Sequence, residues 1–200
     1  MIYLEAFNEV LDYIPEIKGS SIVYLLKKNP KVIIDTGGSP KIGIIIIERL
    51  NQINHPMNEQ IYVFLTHYHG DHVQGFNILS ERLKIFAYYQ TEKPPFHDEE
   101  CEKINDQQFI QLGDYKFKII FTPGHTKESI CIYEENNKIL FTGDTIFVDG
   151  EIGWGNSKEI QYSIKKLLDL DVDIIAPGHV YPLLKGKEHV KMADEKPWTT

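Results

Sequence analysis

Apolar residues fall in short runs broken by glycine, proline and asparagine, and the runs switch between two periods. Residues 21–26 and 31–34 are β-prone and are separated by a Lys27-Lys28-Asn29-Pro30 turn signal. The second run gives way to Asp35-Thr36-Gly37-Gly38, a glycine loop. Ser39 as N-cap and Pro40 at the first helical position then open a helix expected to run to about residue 54. The pattern continues with a buried strand over 61–65, a helix over 71–82 and a strand over 84–89. From Phe109 the chain turns strand-rich: 109–112, 115–121, 129–134 and 139–141 are short runs punctuated by Gly113-Asp114 and Glu135-Asn136-Asn137. Residues 157–168 carry apolar side chains at 160, 164, 167 and 168, the spacing of a one-sided helix, and 173–176 is a last strand. Residues 90–107 fit neither period. They contain Pro94-Pro95 and a run of acids, and read as a loop long enough to act as a lid.

Strand and helix runs in this order predict sheets covered by helices. At 200 residues, with 42% hydrophobic and 25% charged residues, the chain is expected to be one soluble globular domain over 1–200. The longest apolar-plus-glycine run, 42–47, is far short of the ~20 residues of a membrane span. The start carries Glu5, Glu9 and Asp12 without a basic stretch, so it does not read as a secretory signal, and a cytoplasmic location is expected. Residues 1–100 hold 9 Lys+Arg against 13 Asp+Glu, and residues 101–200 hold 12 against 16, so each half is −4. With Arg49 and Arg82 the only arginines, a broad nucleic-acid surface is disfavoured. Cys101 and Cys131 form no paired-spacing motif and point to a reduced compartment.

The informative stretch is Thr66-His67-Tyr68-His69-Gly70-Asp71-His72. Extended backbone puts i and i+2 on one side, so His67 and His69 can converge on one cation. After the turn at Gly70, Asp71 and His72 enter the first turn of a helix and aim at a neighbouring point. Four ligand-type residues in six at a strand's carboxyl end are poorly explained by packing, and metal binding is the better reading. Three more segments share one grammar, an apolar strand stopping at a small-residue turn that bears a ligand. Thr122-Pro123-Gly124-His125, Thr142-Gly143-Asp144 and Ala176-Pro177-Gly178-His179 present His125, Asp144 and His179. Any one of them alone would pass for a hairpin turn or a helix cap.

In this order the motif and the three turns resemble the metallo-β-lactamase superfamily, with a likeness running from Ser21 through His179 and including Asp35-Thr36-Gly37. The resemblance implies an α+β fold, a four-layer αββα sandwich with metals between the sheet edges. It implies that His67, His69 and His125 hold one metal, that Asp71, His72 and His179 hold the other, and that Asp144 bridges them. Two divalent cations ~3.5–4 Å apart can share a water and lower its pKa toward neutrality, so that hydroxide attacks a carbonyl or phosphoryl centre. Asp71 would hold the nucleophile's hydrogen and help pass a proton to the leaving group. Imidazole and carboxylate donors suit zinc, the first choice, while iron and manganese accept the same donors.

Gly143-Asp144-Thr145-Ile146-Phe147 resembles the glyoxalase II branch, which hydrolyses thioesters of glutathione. The chain stops soon after His179, short of that branch's helical C-terminal domain, and Glu151-Ile152-Gly153-Trp154 supplies no basic residue after the Gly-Asp-Thr loop. A small thioester or ester is therefore the expected substrate, without glutathione specificity. The alternatives are a mononuclear-iron persulfide dioxygenase, a lactonase and a phosphodiesterase or nuclease. Lactonases of this type place a tyrosine where Phe147 stands, and the nuclease needs a basic surface. A non-catalytic binding role is disfavoured because no ligand position is replaced. Tyr68, Phe147 and Trp154 are candidate substrate contacts, each with packing as the competing reading. His55, His97 and His189 have no partner in the ligand grammar and read as surface residues. Asp35 reads as shaping the strand end beside the site. A small-molecule partner is expected; the oligomeric state is not readable.

Overall fold

The computed structural model of the chain describes residues 9–56, 58–90 and 101–196. It divides into two compact units at Lys103/Ile104, taken here in turn.

The first unit is a six-stranded mixed sheet in the order β1 (Leu11–Ile14), β2 (Val23–Leu26), β3 (Val32–Ile34), β4 (Ile61–Phe64), β5 (Ile85–Tyr89), β6 (Cys101–Lys103). Pairing is antiparallel from β1 to β3 and parallel from β3 to β6. The fully buried β3 and nearly buried β4 explain why both read as continuous apolar runs rather than alternating ones. Helix α1 (Pro40–Gln52) buries Ile42, Ile46, Ile47 and Leu50 among Ile33, Val63, Leu65 and Ile85. Pro40 opens it as expected, but Ser39 caps through its carbonyl, which accepts from the Ile42 and Gly43 amides at 3.0 and 3.4 Å, and not through its hydroxyl. The helix stops at Gln52, and Asn54 then turns left-handed (φ 52°).

The single helix expected over 71–82 is two short ones, α2 (Gly70–Val73) and α3 (Phe76–Ser80). The break is at Gly75, whose amide leaves the helical ladder to reach the Gly37 carbonyl at 3.1 Å. A Cβ there would lie 2.0 Å from the Thr36 carbonyl oxygen, so close backbone approach demands glycine.

The second unit is another six-stranded mixed sheet, ordered β12 (Leu183–Leu184), β11 (Ile174–Pro177), β10 (Ile139–Gly143), β9 (Ile130–Glu134), β8 (Tyr115–Phe121), β7 (Phe109–Leu112). β10 and β11 are parallel and the other pairs antiparallel. Helix α4 (Ser157–Lys165) starts where the Asn156 side chain accepts from the Glu159 amide, and buries Ile160 and Ile164. It ends three residues before the expected Leu168. Helix α5 (Gly186–Glu195) buries Val190 and Ala193 beside Leu140, Ile146 and Ile175. Two mixed sheets with their own helices bear out the α+β class.

Several expectations are corrected. The short strands β1, β6 and β12 and the helix α5 have no counterpart in the sequence reading. Residues 101–103, expected in a loop, pair as β6 with β5, while residues 91–100 and His97 lie outside the described residues. His55 and His189 are not surface residues, being 5% and 9% exposed. Burial at the end of α1 pushes the His55 imidazole pKa below its usual range, since taking the ring from water disfavours its charged form. His189 faces the Val148–Gly150 turn, where its Nδ1 accepts from the Asp149 amide at 2.9 Å.

Candidate metal centre

Each unit presents its own donors at the carboxyl edge of its sheet. In the first, β3 and β4 are parallel with Ile34 opposite Phe64, so Asp35 and Thr66 leave the sheet side by side. Asp35, 2% exposed and at φ 58°, accepts from the Thr66 amide and from Thr66 Oγ1, both at 2.8 Å, and from His72 Nδ1 at 2.7 Å. Thr66 spends its single hydroxyl proton on Asp35, so at 3.2 Å its oxygen accepts from His67 Nδ1. One buried carboxylate therefore selects the tautomer of two histidines, directly for His72 and through Thr66 for His67. In both, Nε2 carries the lone pair, the arrangement that ligand histidines carry.

The loop that bears these residues is fastened along its backbone. The Thr36 amide and hydroxyl reach the His72 carbonyl at 2.7 and 3.0 Å, and the Ser21 amide reaches that of Asp71 at 3.0 Å. His67 and His72 ring centroids are 4.0 Å apart and those of His67 and His69 are 4.8 Å apart. Asp71 Oδ2 lies 3.7 Å from His72 Nε2. The sequence motif thus folds as expected, with His67 and His69 before α2 and Asp71 and His72 in its first turn. Tyr68 packs against the first unit's hydrophobic core.

In the second unit β8, β10 and β11 run in one direction and end on one edge. Gly143 is opposite Pro177 and the Gly178 amide reaches the Gly143 carbonyl at 2.7 Å, so Asp144 and His179 emerge together. Asp144 Oδ2 is 3.6 Å from His179 Nε2 and 3.6 Å from His125 Nε2. Both gaps exceed a hydrogen bond but match two donors held ~2.0–2.1 Å from a common cation. The oxygen that faces both rings is one and the same. His125 Nδ1 donates to the Trp154 carbonyl at 2.6 Å, which again leaves Nε2 as the lone pair.

That carbonyl is the contact that sequence reading missed, because a backbone acceptor leaves no side-chain signature. Trp154's indole is 91% exposed, whereas its backbone sits between glycines that lie flush on the ligand turns. A Cβ on Gly153 would be 1.9 Å from the Asp144 carbonyl oxygen, and one on Gly155 2.1 Å from that of Gly124. Phe147 lies with its ring centroid 6.1 Å from that of His179. Cys131 is buried under the Asp144 turn beside Thr122, and burial pushes its thiol up to about 11, which favours the neutral thiol at neutral pH.

The donor chemistry fits a divalent metal: five imidazoles, those of His67, His72 and His125 with Nδ1 tied to hydroxyl, carboxylate and carbonyl, plus two carboxylates. Residues 17–179 match the Metallo-beta-lactamase superfamily, and the chain belongs to that family. It is 27% identical over 88% of its length to a Beta-lactamase-like protein 2 homolog of Caenorhabditis elegans, covering 61% of that protein. It is 33% identical over 60% of its length to a hydroxyacylglutathione hydrolase of Francisella tularensis subsp. novicida, covering 49% of it. The chain thus spans about half to three-fifths of these curated relatives. Among solved structures, the BLEG-1 B3 metallo-beta-lactamase aligns with a TM-score of 0.72 at 24% identity, over 89% of this chain and 95% of that one. That likeness shows the metallo-β-lactamase fold for this chain. Among the described residues, no helix is long and apolar enough to cross a membrane.

Proposed function

We propose that this chain is a dinuclear metal-dependent hydrolase of a small thioester or ester. The observation that carries the reading is the Nε2 lone pair on each of His67, His72 and His125, set by a hydrogen bond at Nδ1. His67, His69 and His125 would hold one ion, Asp71, His72 and His179 the other, and Asp144 both. The shared position of Asp144 Oδ2 toward His125 and His179 supports a bridging role. Zinc suits these donors best.

When bound, divalent cations lower the pKa of a coordinated water toward neutrality and offset charge gathering on a substrate oxygen. The chain's residues do the rest. Asp71, about a third exposed, would take the attacking water's proton and return it to the departing sulfur or oxygen. Phe147 beside His179 would give an apolar acyl group a surface, and the exposed Trp154 indole would cover it. The hydroxyacylglutathione hydrolase relative supports thioester chemistry.

The test is metal analysis of the purified protein, followed by thioester, lactone, ester and phosphodiester assays with and without chelator. Thioester or ester cleavage that chelator abolishes supports the reading. Cleavage of a phosphodiester alone, or oxygen uptake with a single bound iron, overturns it. Asp144→Ala is expected to lose both metals and at least ~100-fold in activity, because the shared donor is removed; full activity in that variant refutes the shared-metal arrangement.

A further inference from the structure

We infer that His189, on α5, is a positioning residue for the turn that flanks two of the ligand histidines; the inference rests on the proposed metal site. His189 is 9% exposed, stands outside the ligand motifs, and the proposed mechanism does not use it. Its Nδ1 accepts the Asp149 amide at 2.9 Å, so the ring proton is on Nε2. Asp149 needs that acceptor: it stands at φ 56° inside the Val148–Gly150 turn, a conformation an L residue adopts only when its surroundings hold it. The Asp149 carboxylate is 3.8 Å from the same nitrogen, beyond hydrogen-bond reach, so the backbone amide makes the contact.

The turn is stiff, and what happens at Asp149 is passed along it. The Phe147 amide reaches the Glu151 carbonyl at 2.7 Å, the Glu151 amide reaches Val148 at 3.1 Å, and Ile146 bridges Ile152. Gly150 is flush against α5, where a Cβ would lie 2.6 Å from the Ala193 amide nitrogen. Lys196 pairs with Glu151 just past the helix end. Helix α5 and the residue that follows it thereby meet the turn at three points, and His189 is the one that grips its left-handed residue. On one side of the turn Phe147 lies against His179; on the other, the chain runs through Gly153 to the Trp154 carbonyl that fixes His125. His189 acts on both ligands through this turn and touches neither.

His189→Leu removes the acceptor, and His189→Asn restores one at the position of Nδ1, whereas His189→Gln displaces it by a bond. Two readouts are needed. One is the His125 tautomer, from long-range ¹⁵N–¹H spectra of the full chain without added metal. The other is zinc affinity by chelator competition. The wild type is expected to show the Nδ1–H tautomer at His125. In His189→Leu that signal becomes a mixture and zinc binds about tenfold more weakly, the lower end of what losing an outer hydrogen-bond partner costs. His189→Asn recovers both. An unchanged tautomer and affinity in the Leu variant, alongside a lowered melting temperature, would overturn the inference and leave His189 a packing residue. If the Leu variant does not fold, equal behaviour of the Asn and Gln variants overturns it, and a wild-type-like Asn with an impaired Gln upholds it. Failure of the wild type to bind zinc refutes the proposed function instead, while the tautomer readout still tests His189.

Discussion

Asp35 shows how much one side chain can organise. It takes hydrogen bonds from Thr66 and His72, and through the Thr66 hydroxyl it also orders His67. Asp35→Asn keeps the volume but replaces one oxygen by a donor, which faces either Thr66 or His72 Nδ1 and must break a bond. The variant is expected to lose about 1–3 kcal/mol of stability and ~10–100-fold in metal affinity, read by denaturant titration and chelator competition. The sequence placed Asp35 beside the site but did not show it acting on two ligands, since that depends on a partner 31 residues away along the chain and 37 in the case of His72. The seven proposed donors stood out because metal ligation restricts residue type and because His69, Asp71, His125, Asp144 and His179 each adjoin a turn glycine. His55 and His189 were misread because a histidine's burial depends on what packs over it.

At the scale of elements, the strands were the most legible: a strand buried on both faces is a continuous apolar run, and β4, β10 and β11 are such runs. The helix after the ligand motif was not, because Gly75 breaks it through a contact with Thr36 that no local pattern reveals. Gly75→Ala is expected to destabilise by about 2–3 kcal/mol, as the added methyl meets backbone that cannot yield; thermal or denaturant unfolding measures it. The end of α1 gives a pH prediction. His55 has a folded pKa lowered by burial, so the unfolded chain binds the extra proton more readily. Stability contributed by the neutral ring is intact above the unfolded value near 6.5 and falls as pH drops below it. His55→Gln is expected to flatten the slope of stability against pH below 6.5 relative to the wild type, measured by unfolding midpoints across that range.

For the whole molecule, each sheet delivers its donors from strands that end on a common edge, three donor turns in one unit and one compact motif in the other. Metal bound to the proposed donors stabilises the folded chain by mass action. Chelation is then expected to lower the melting temperature, and at a free zinc level 100 times the dissociation constant the stabilisation is about 2.7 kcal/mol, read by calorimetry with and without chelator. Asp144→Ala should show little further change on chelation.

By itself the sequence determined the fold class and most strands and singled out the donor-type residues proposed as ligands, because those follow from periodicity, turn chemistry and donor type, which are local. Only the tertiary structure decided which nitrogen of His67, His72 and His125 carries the proton, where the motif's helix breaks, and that the Trp154 carbonyl meets His125 while the His189 imidazole meets the Asp149 amide. Those are set by hydrogen bonds between residues distant in the chain, and such pairings come into being only when the strands have found their register.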